Sequence, residues 1–502
     1  MNLAGMCKKH QKHIKVLLIY SSEKRKNEIS IVAPIGLFFI NGYLREKGYI
    51  TKIIHTITAY NDEFTISEEN KAYIQKEIME FNPDYIGYSF RNLYNDEDID
   101  EKNKKSIVHY LSIALVKPVI EFIRSISNAV IIGGGVAFSI EPKLYMHYLN
   151  LDYGIIGEGE KVFELLISYL ETGGDISAIP GLVFKKDTLY KVNKNVFIND
   201  LDQMPAMDIG GFNEFCELCH KESNYANIQT KRGCAFKCIY CAYPSLEGKE
   251  YRLRSIDTII SEILYLKNTY DINRIFITDS VFSYPRKHSQ DFCLELIKRN
   301  IDIHWVAYIN PRDITKELLF VYKNAGCLKL ILAIDSLSAK VLEKYKKDFN
   351  IEEIKKCVKS LQAVGIPFMV ELILGGPGES EETIDETIQF CEDYLKDVIV
   401  SFQCGMEFSS ISSNIGSEDA YIPIEANNNS LYEMVLQNCS EDFDKRVYFF
   451  SHIDSFRDDF IYNILYKIIK FKRVVIGKNK QLNIIINKIM KEKIKKGLYF
   501  DT

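Results

Sequence analysis

The chain has 502 residues, 47% of them hydrophobic and 26% charged, with a formal net charge of -5; that is length for two or three domains and an ordinary balance for a soluble globular enzyme, and it argues against a general nucleic-acid binder. No stretch approaches the roughly 20 apolar residues that span a bilayer. The segment from Met1 to Lys15 is short and basic, with neither an apolar run nor a small-residue cleavage site, so a cytoplasmic protein is expected. Its 12 cysteines are too sparse for a disulfide framework and, kept reduced, are available as metal ligands.

The first strand is expected at Lys15 to Tyr20, a continuous apolar run of the kind buried on both faces of a parallel sheet. A loop to Pro34 and a helix ending at Gly48 follow. Further strands are expected at Thr51 to His55, Tyr85 to Ser89, Ala129 to Ile132 and Tyr153 to Ile156, with helical patterns between them such as Ile120 to Ile126 and Phe163 to Leu170. Alternation of this kind predicts a doubly wound, Rossmann-like α/β domain over residues 1–195. Ligands of such sheets lie outside the carboxyl ends of the strands. Those ends are polar or glycine-rich here: Ser89-Phe90-Arg91-Asn92, Gly133-Gly134-Gly135 and Gly157-Glu158-Gly159-Glu160.

Residues from about Ile179 to Ala226 read as connecting chain, the connector proper being 196–226. A second β/α series over 227–408 predicts a partial (β/α)6 barrel. Its strands fall at Asn227 to Thr230, Ile275 to Thr278, His304 to Tyr308, Lys329 to Ile334, Phe368 to Leu374 and Val398 to Gln403. Residues 409–502 read as a small, mainly helical C-terminal region. Its lysine-rich tail from Tyr466 suits a solvated helix face covering the barrel, or a basic amphipathic helix leaning on a membrane or an anionic peptide.

Just after the first barrel strand, Lys231-Arg-Gly-Cys234-Ala-Phe-Lys-Cys238-Ile-Tyr240-Cys241 brings three cysteines onto one short loop. Three thiolates hold three irons of a 4Fe–4S cube. The fourth iron is then open to the amino and carboxylate groups of an amino acid, and the reduced cluster can pass an electron into a sulfonium. The residues alone also admit a zinc site that adds Cys216 and Cys219. Zinc ribbons, however, use paired knuckles rather than the mouth of a β/α barrel.

The C-x3-C-x-aromatic-C pattern, with Tyr240 in the aromatic place, resembles the radical S-adenosylmethionine (SAM) superfamily. The resemblance implies that Cys234, Cys238 and Cys241 are the cluster ligands on which catalysis depends. It implies that Asp279 and Ser280 meet the methionine amino group, Asp335 and Ser336 the ribose, and Gly375 and Gly376 the region of the adenine. Asp279 and Ser280 depart from the glycine-rich family form, and Asp335 stands where Glu is commoner.

The first domain resembles the cobalamin-binding domain that precedes the barrel in one branch of that superfamily, through Pro34 and its helix, Ser89, Arg91, Asn92, Gly133, Gly134, Gly135, Phe138, Gly157, Glu158 and Gly159. Small residues at strand ends let a macrocycle approach the backbone closely. No histidine lies between Ser21 and Gly36, so the resemblance implies a corrin whose lower face is water-ligated or free. His55, His109 and His147 are the alternative ligands.

Together these resemblances imply a methyltransferase that uses a 4Fe–4S cluster, SAM and cobalamin on an unactivated carbon, or on phosphorus, of a small-molecule, lipid or peptide substrate. A reductase or flavodoxin-type electron donor would be its partner. The alternatives are cyclisation, rearrangement or oxidation with a degenerate cobalamin domain, and a non-enzymatic cobalamin-binding sensor or scaffold. A methylthiotransferase would need three N-terminal cysteines, and only Cys7 precedes the connector.

Overall fold

The computed structural model describes residues 14–25, 28–29, 34–59, 66–91, 108–212, 225–374, 378–395 and 398–404. Asn92, Cys216, Cys219, Gly375, Gly376 and the whole C-terminal region lie outside them.

The first domain runs β1 (Lys15–Arg25), β2 (Glu28–Ile29), α1 (Ile35–Glu46), β3 (Ile50–Ala59), α2 (Glu68–Phe81), β4 (Tyr85–Ser89), α3 (Val108–Ile126), β5 (Val130–Gly134), α4 (Val136–Ile140), α5 (Pro142–Tyr148), β6 (Tyr153–Ile155), α6 (Glu160–Thr172), β7 (Leu182–Lys186) and β8 (Leu189–Val192). Strands β3, β1, β4, β5 and β6 lie side by side and parallel in that order. The direction of progression therefore reverses between β1 and β4, and a ligand cleft opens at such a switch point. The all-apolar run of β1 belongs at the centre. Val16, Leu17, Leu18 and Ile19 are each 0% exposed, with Val16 and Leu18 in the core on one face and Leu17 and Ile19 in the core on the other.

Two departures from the sequence reading occur in this sheet. Strand β1 extends to Arg25 and turns back antiparallel onto β2, where a loop was expected. The start of the expected connecting chain is a hairpin: β7 pairs antiparallel with β6, and β8 with β7. Only Leu182, Val183 and Phe184 of that hairpin are buried, so its apolar signal is too short to distinguish from a loop.

The second domain runs β9 (Ala226–Ile228), β10 (Lys231–Arg232), α7 (Tyr243–Leu246), β11 (Arg252–Leu253), α8 (Ile256–Tyr270), β12 (Arg274–Ile277), α9 (Arg286–Lys298), β13 (His304–Ile309), α10 (Lys316–Asn324), β14 (Cys327–Asp335), α11 (Ala339–Lys344), α12 (Ile351–Val364), β15 (Phe368–Leu374), α13 (Glu381–Tyr394) and β16 (Ile399–Cys404). Six strands form a parallel sheet in the order β9-β12-β13-β14-β15-β16, with its two end strands unpaired to each other. That is the expected open β/α series. Helix starts are fixed by side-chain caps, as at Ser255, Thr315 and the Asn350/Glu353 capping box.

One buried apolar cluster continues from Leu18, Phe38 and Phe39 of the first domain into Ile228, Ile259 and Trp305 of the second. Burial of this kind contributes roughly 25 cal/mol per Å² of apolar surface and docks the two sheets as one body. Among the described residues no helix is long and apolar enough to cross a membrane.

The strand-end glycines divide by what lies over them. A Cβ on Gly154 would fall 2.0 Å from the Phe138 ring, and one on Gly133 2.6 Å from Leu151, whereas one on Gly134 meets nothing nearer than the Ile155 carbonyl at 3.6 Å. Gly154→Ala is therefore expected to lose about 1–3 kcal/mol by overpacking, and Gly134→Ala to stay within about 0.5 kcal/mol of the parent. Urea midpoints measured side by side check this, and equal losses would show that the core gives way around Phe138.

Candidate functional site

The cysteine loop is closed at its base by β10 and β11, where Lys231 faces Leu253 and Arg232 faces Arg252. Gly233 turns the chain into the loop at φ +87, and a Cβ there would lie 2.0 Å from the Glu250 carbonyl, so only glycine serves. The Cys234 amide donates to the Gly248 carbonyl at 3.0 Å, that of Cys241 to Cys238 at 3.2 Å, and that of Ile239 to Tyr345 at 3.2 Å. These bonds tie the loop to itself and to the C-terminal end of α11, which Tyr345 caps.

All three cysteines are free thiols, Cys234 buried and Cys238 and Cys241 half-buried. Burial raises the Cys238 thiol, against the pull of Lys347, and pushes Cys241 up to about 12. Among the described residues no three His, Cys, Asp or Glu side chains converge on a point suited to one metal ion. A four-iron cube makes a different demand, one thiolate for each of three irons. Three free thiols on one glycine-hinged loop at the strand ends fit it.

The side chains expected around SAM divide into two groups. Asp279 is 2% exposed, and its carboxylate accepts from the Thr230 amide at 2.7 Å, the Thr230 hydroxyl, the Lys231 amide at 3.3 Å and Lys231 Nζ at 2.7 Å. Four protein donors thus engage the residue expected to meet the methionine amino group, and it braces the chain beneath the cysteine loop. Ser280 donates to the Gly233 carbonyl at 3.1 Å and braces the same turn.

Asp335 and Tyr240, 95 residues apart in sequence, are hydrogen-bonded to each other. The register between β14 and β15 shifts at Ala333/Asp335, and Asp335 has φ +70. A bulge and a left-handed aspartate together re-aim one side chain at a strand end. Ser336 accepts from the Ser338 amide at 3.1 Å and is buried beside it.

Sequence reasoning missed Lys347. Its ammonium bonds Asp335, the Tyr240 hydroxyl at 3.0 Å and the Ala333 carbonyl at 3.2 Å, and lies 3.9 Å from Cys238 Sγ. Burial opposes its charge, but Asp335 and Cys238 outweigh burial and hold its pKa above the usual value. Burial and then Asp335 likewise hold the Tyr240 phenol well above its ordinary value. In the sequence, Lys346-Lys347-Asp348 looks like a solvated charge run; only the fold turns its middle residue inward.

On the first domain a narrow cleft at the β1/β4 switch point is lined by Ser21, Tyr88, Ser89, Phe90, Arg91 and Tyr145. Ser21 bonds the Tyr88 hydroxyl and lies 2.6 Å from Thr56 Oγ1, while Arg91 is exposed at the mouth. Gly135, at φ +94, passes so close to Phe90 that a Cβ would meet its carbonyl at 2.6 Å. Phe138, expected to line the ligand site, is 0% exposed. It packs against Phe90 and Tyr145, with ring centroids 6.3 and 6.0 Å away, and supports the strand ends from within the core.

The Gly157–Glu160 turn follows β6 as expected, but its carboxylates face the second domain. Gly157 has φ +73, with Asn195 packed over it. Glu158 takes Arg252 through both guanidinium nitrogens at 2.6 and 2.9 Å, Arg232 at 3.4 Å and the Ile198 amide at 2.7 Å. Glu160 pairs with Arg232 at 2.6 Å. Burial disfavours the charge of Arg232, but Glu160 and Glu158 outweigh it and raise its pKa. Gly159 begins α6 with Ile40 packed against it. The Glu158 carboxylate, expected beside a corrin, is thus engaged by the strands that flank the cysteine loop.

Residues 228–391 match the radical SAM superfamily, and residues 30–167 match the B12 binding domain. An uncharacterized methyltransferase of Pyrococcus horikoshii is 25% identical over 363 residues, covering 72% of this chain and 73% of the relative. An anaerobic magnesium-protoporphyrin IX monomethyl ester cyclase of Rubrivivax gelatinosus is 24% identical, over 73% of this chain and 63% of its own length. Among solved structures, the radical SAM methyltransferase TsrM of Kitasatospora setae, with tryptophan substrate and a SAM analogue bound, superposes with a TM-score of 0.65 at 21% identity. It covers 79% of this chain and 74% of its own, a likeness of fold. The two matched domains bring with them a 4Fe–4S cluster, SAM and cobalamin as cofactors. The chain belongs to the cobalamin-dependent radical S-adenosylmethionine enzymes.

Proposed function

We propose that this enzyme transfers a methyl group from SAM, by way of cobalamin, to an unactivated carbon or to phosphorus of a small-molecule, lipid or peptide substrate, with a flavodoxin-type protein or a reductase supplying electrons. The observation that carries the reading is that the two domains share one buried apolar core, with Glu158 of the first bonded to Arg252 at the base of the cysteine loop of the second. When bound, the cofactors supply the hard chemistry, radical generation at the cluster and methyl carriage at the corrin.

The chain's own residues hold and shield. Cys234, Cys238 and Cys241 would bind three irons. Asp335, fixed by Tyr240 and Lys347, offers an acceptor beside the loop, and Ser336 stands next to it. Gly134, which alone of the three consecutive glycines would accept a Cβ without a clash, would let a flat ligand approach the end of β5. Arg91 would lie at the same mouth. The absence of histidine between Ser21 and Gly36 supports a corrin without an imidazole from that loop. Cyclisation is the second reading, favoured by the likeness to the cyclase of Rubrivivax gelatinosus. The two readings part on whether the product gains a methyl group or a ring.

Protein made anaerobically with iron, sulfide and hydroxocobalamin is expected to hold about four irons and one corrin per chain. Cys234→Ala, Cys238→Ala and Cys241→Ala should each lose the cluster and SAM cleavage while keeping the corrin; full turnover by any one of them would remove that cysteine from the ligand set. Gly134→Leu should weaken corrin binding at least about tenfold, or ~1.4 kcal/mol, with iron content unchanged. Unaltered corrin affinity would place the corrin away from the end of β5.

A further inference from the structure

Arg232 and Arg252 are directly opposed across the two-stranded ladder that closes the cysteine loop. Like charges facing each other across a ladder are destabilising, and here they are also removed from water, at 9% and 10% side-chain exposure. Of the two acidic residues in the loop, Glu247 and Glu250, neither forms an ion pair with these arginines among the described residues; the Glu247 carboxylate accepts from the Gln229 side chain at 3.1 Å and the Gly233 amide at 3.2 Å and acts on Arg232 only at longer range. The carboxylate that reaches both guanidinium groups is Glu158, from the other domain, and Glu160 takes the remaining side of Arg232. Phe39 of helix α1, also in the first domain, lies 5.1 Å from the Arg232 guanidinium.

The loop that carries the three cysteines is therefore closed by an ion network whose negative half belongs to the cobalamin domain. The turn that supplies it follows β6, a neighbour of the strand bearing Gly133 and Gly134. We propose that Glu158 is a positioning residue that fixes the cysteine loop against the cobalamin-domain sheet, and with it the separation of corrin and cluster, by neutralising the facing pair Arg232 and Arg252. The inference rests on the cofactor reading above for its consequence, but not for the ion network itself.

Two measurements on the full chain test it. In protein without cofactors, Glu158→Gln keeps the shape of the side chain and removes its charge, so backbone amides of residues 231–253 should exchange hydrogen at least about tenfold faster than in the parent. Glu158→Asp should restore most of the protection. The double variant Glu158→Gln/Arg252→Gln, which removes one of the opposed charges, should also recover it. That double variant decides the matter if Glu158→Gln alone fails to fold.

In protein loaded with iron and corrin, the magnetic coupling between cob(II)alamin and the reduced cluster, read from electron paramagnetic resonance line shapes, should broaden or weaken in Glu158→Gln at unchanged iron and corrin content. Parent-like exchange in Glu158→Gln, or no recovery in the double variant, would overturn the role of the ion network. Parent-like coupling with altered exchange would overturn its role in cofactor separation. A parent protein that takes up no corrin would instead refute the cofactor reading and leave the exchange comparison to decide the network.

Discussion

Two consecutive cations, Lys231 and Arg232, are buried immediately before the first cysteine, with side-chain exposures of 1% and 9%, and the site is built around that constraint. A charge removed from water must be paired, and deleting one partner of a buried pair costs about 3–5 kcal/mol. Backbone geometry sends the two side chains in different directions, so the dipeptide draws carboxylates from opposite quarters. Asp279 arrives from the end of β12 in the barrel, and Glu158 and Glu160 from the end of β6 in the first domain. The Asp279 and Glu160 pairs are charge-assisted and short, at 2.7 and 2.6 Å, and Glu158 stands farther off at 3.4 Å. Between them they fix where the chain enters the cysteine loop, which fixes where three thiols can stand.

A second buried ion pair orders the other side of the loop by the same rule. Lys347 and Asp335 are each 6% exposed at the side chain, and the lysine spends its remaining donors on Tyr240 and a backbone carbonyl. Asp335 reaches this partner because the bulge at the end of β14 gives it a left-handed backbone, which aspartate tolerates better than most residues. The result is an ammonium group, paired with Asp335, fixed beside Cys238 Sγ as a donor within reach of a thiolate.

What was legible in the sequence follows from the range of the interactions involved. The five parallel strands of the first sheet and the six of the second were readable because most are apolar-rich runs bounded by polar or glycine-rich chain, a local signal; β9 (Ala226-Asn227-Ile228) is the exception. The cysteine loop was readable because its chemistry is contained in eight residues. The β7–β8 hairpin was not, because only three of its residues are buried and its pairing onto β6 gives no local sign. Nor were the partners of Asp279, Glu158 and Lys347, which lie 48, 94 and 12 residues away. Each carboxylate was noticed, but its role was taken from the ligand it resembled a contact for. The fold had already spent Asp279 and Glu158 on cations that sequence shows as ordinary surface charge.

The glycines show how far a motif can be read before packing is known. Gly133-Gly134-Gly135 looks like one uniform edge, yet its members answer to different neighbours. Gly133 leaves room for Leu151, Phe90 and Phe138, and Gly135 for the backbone of Phe90 at positive φ, while Gly134 would accept a Cβ in ordinary contact with the Ile155 carbonyl. Two of the three are thus required by the protein itself and would be required with or without a corrin. Gly154, which has no place in the motif, makes the same kind of room for Phe138. A glycine that a core side chain needs says little about a ligand; a glycine whose added Cβ would make only ordinary contact, at the carboxyl end of a parallel strand beside a switch point, is the one whose smallness a ligand would use. The approach proposed for a corrin, over Gly134 and past Arg91, would be underlain by the packed rings of Phe90, Phe138 and Tyr145.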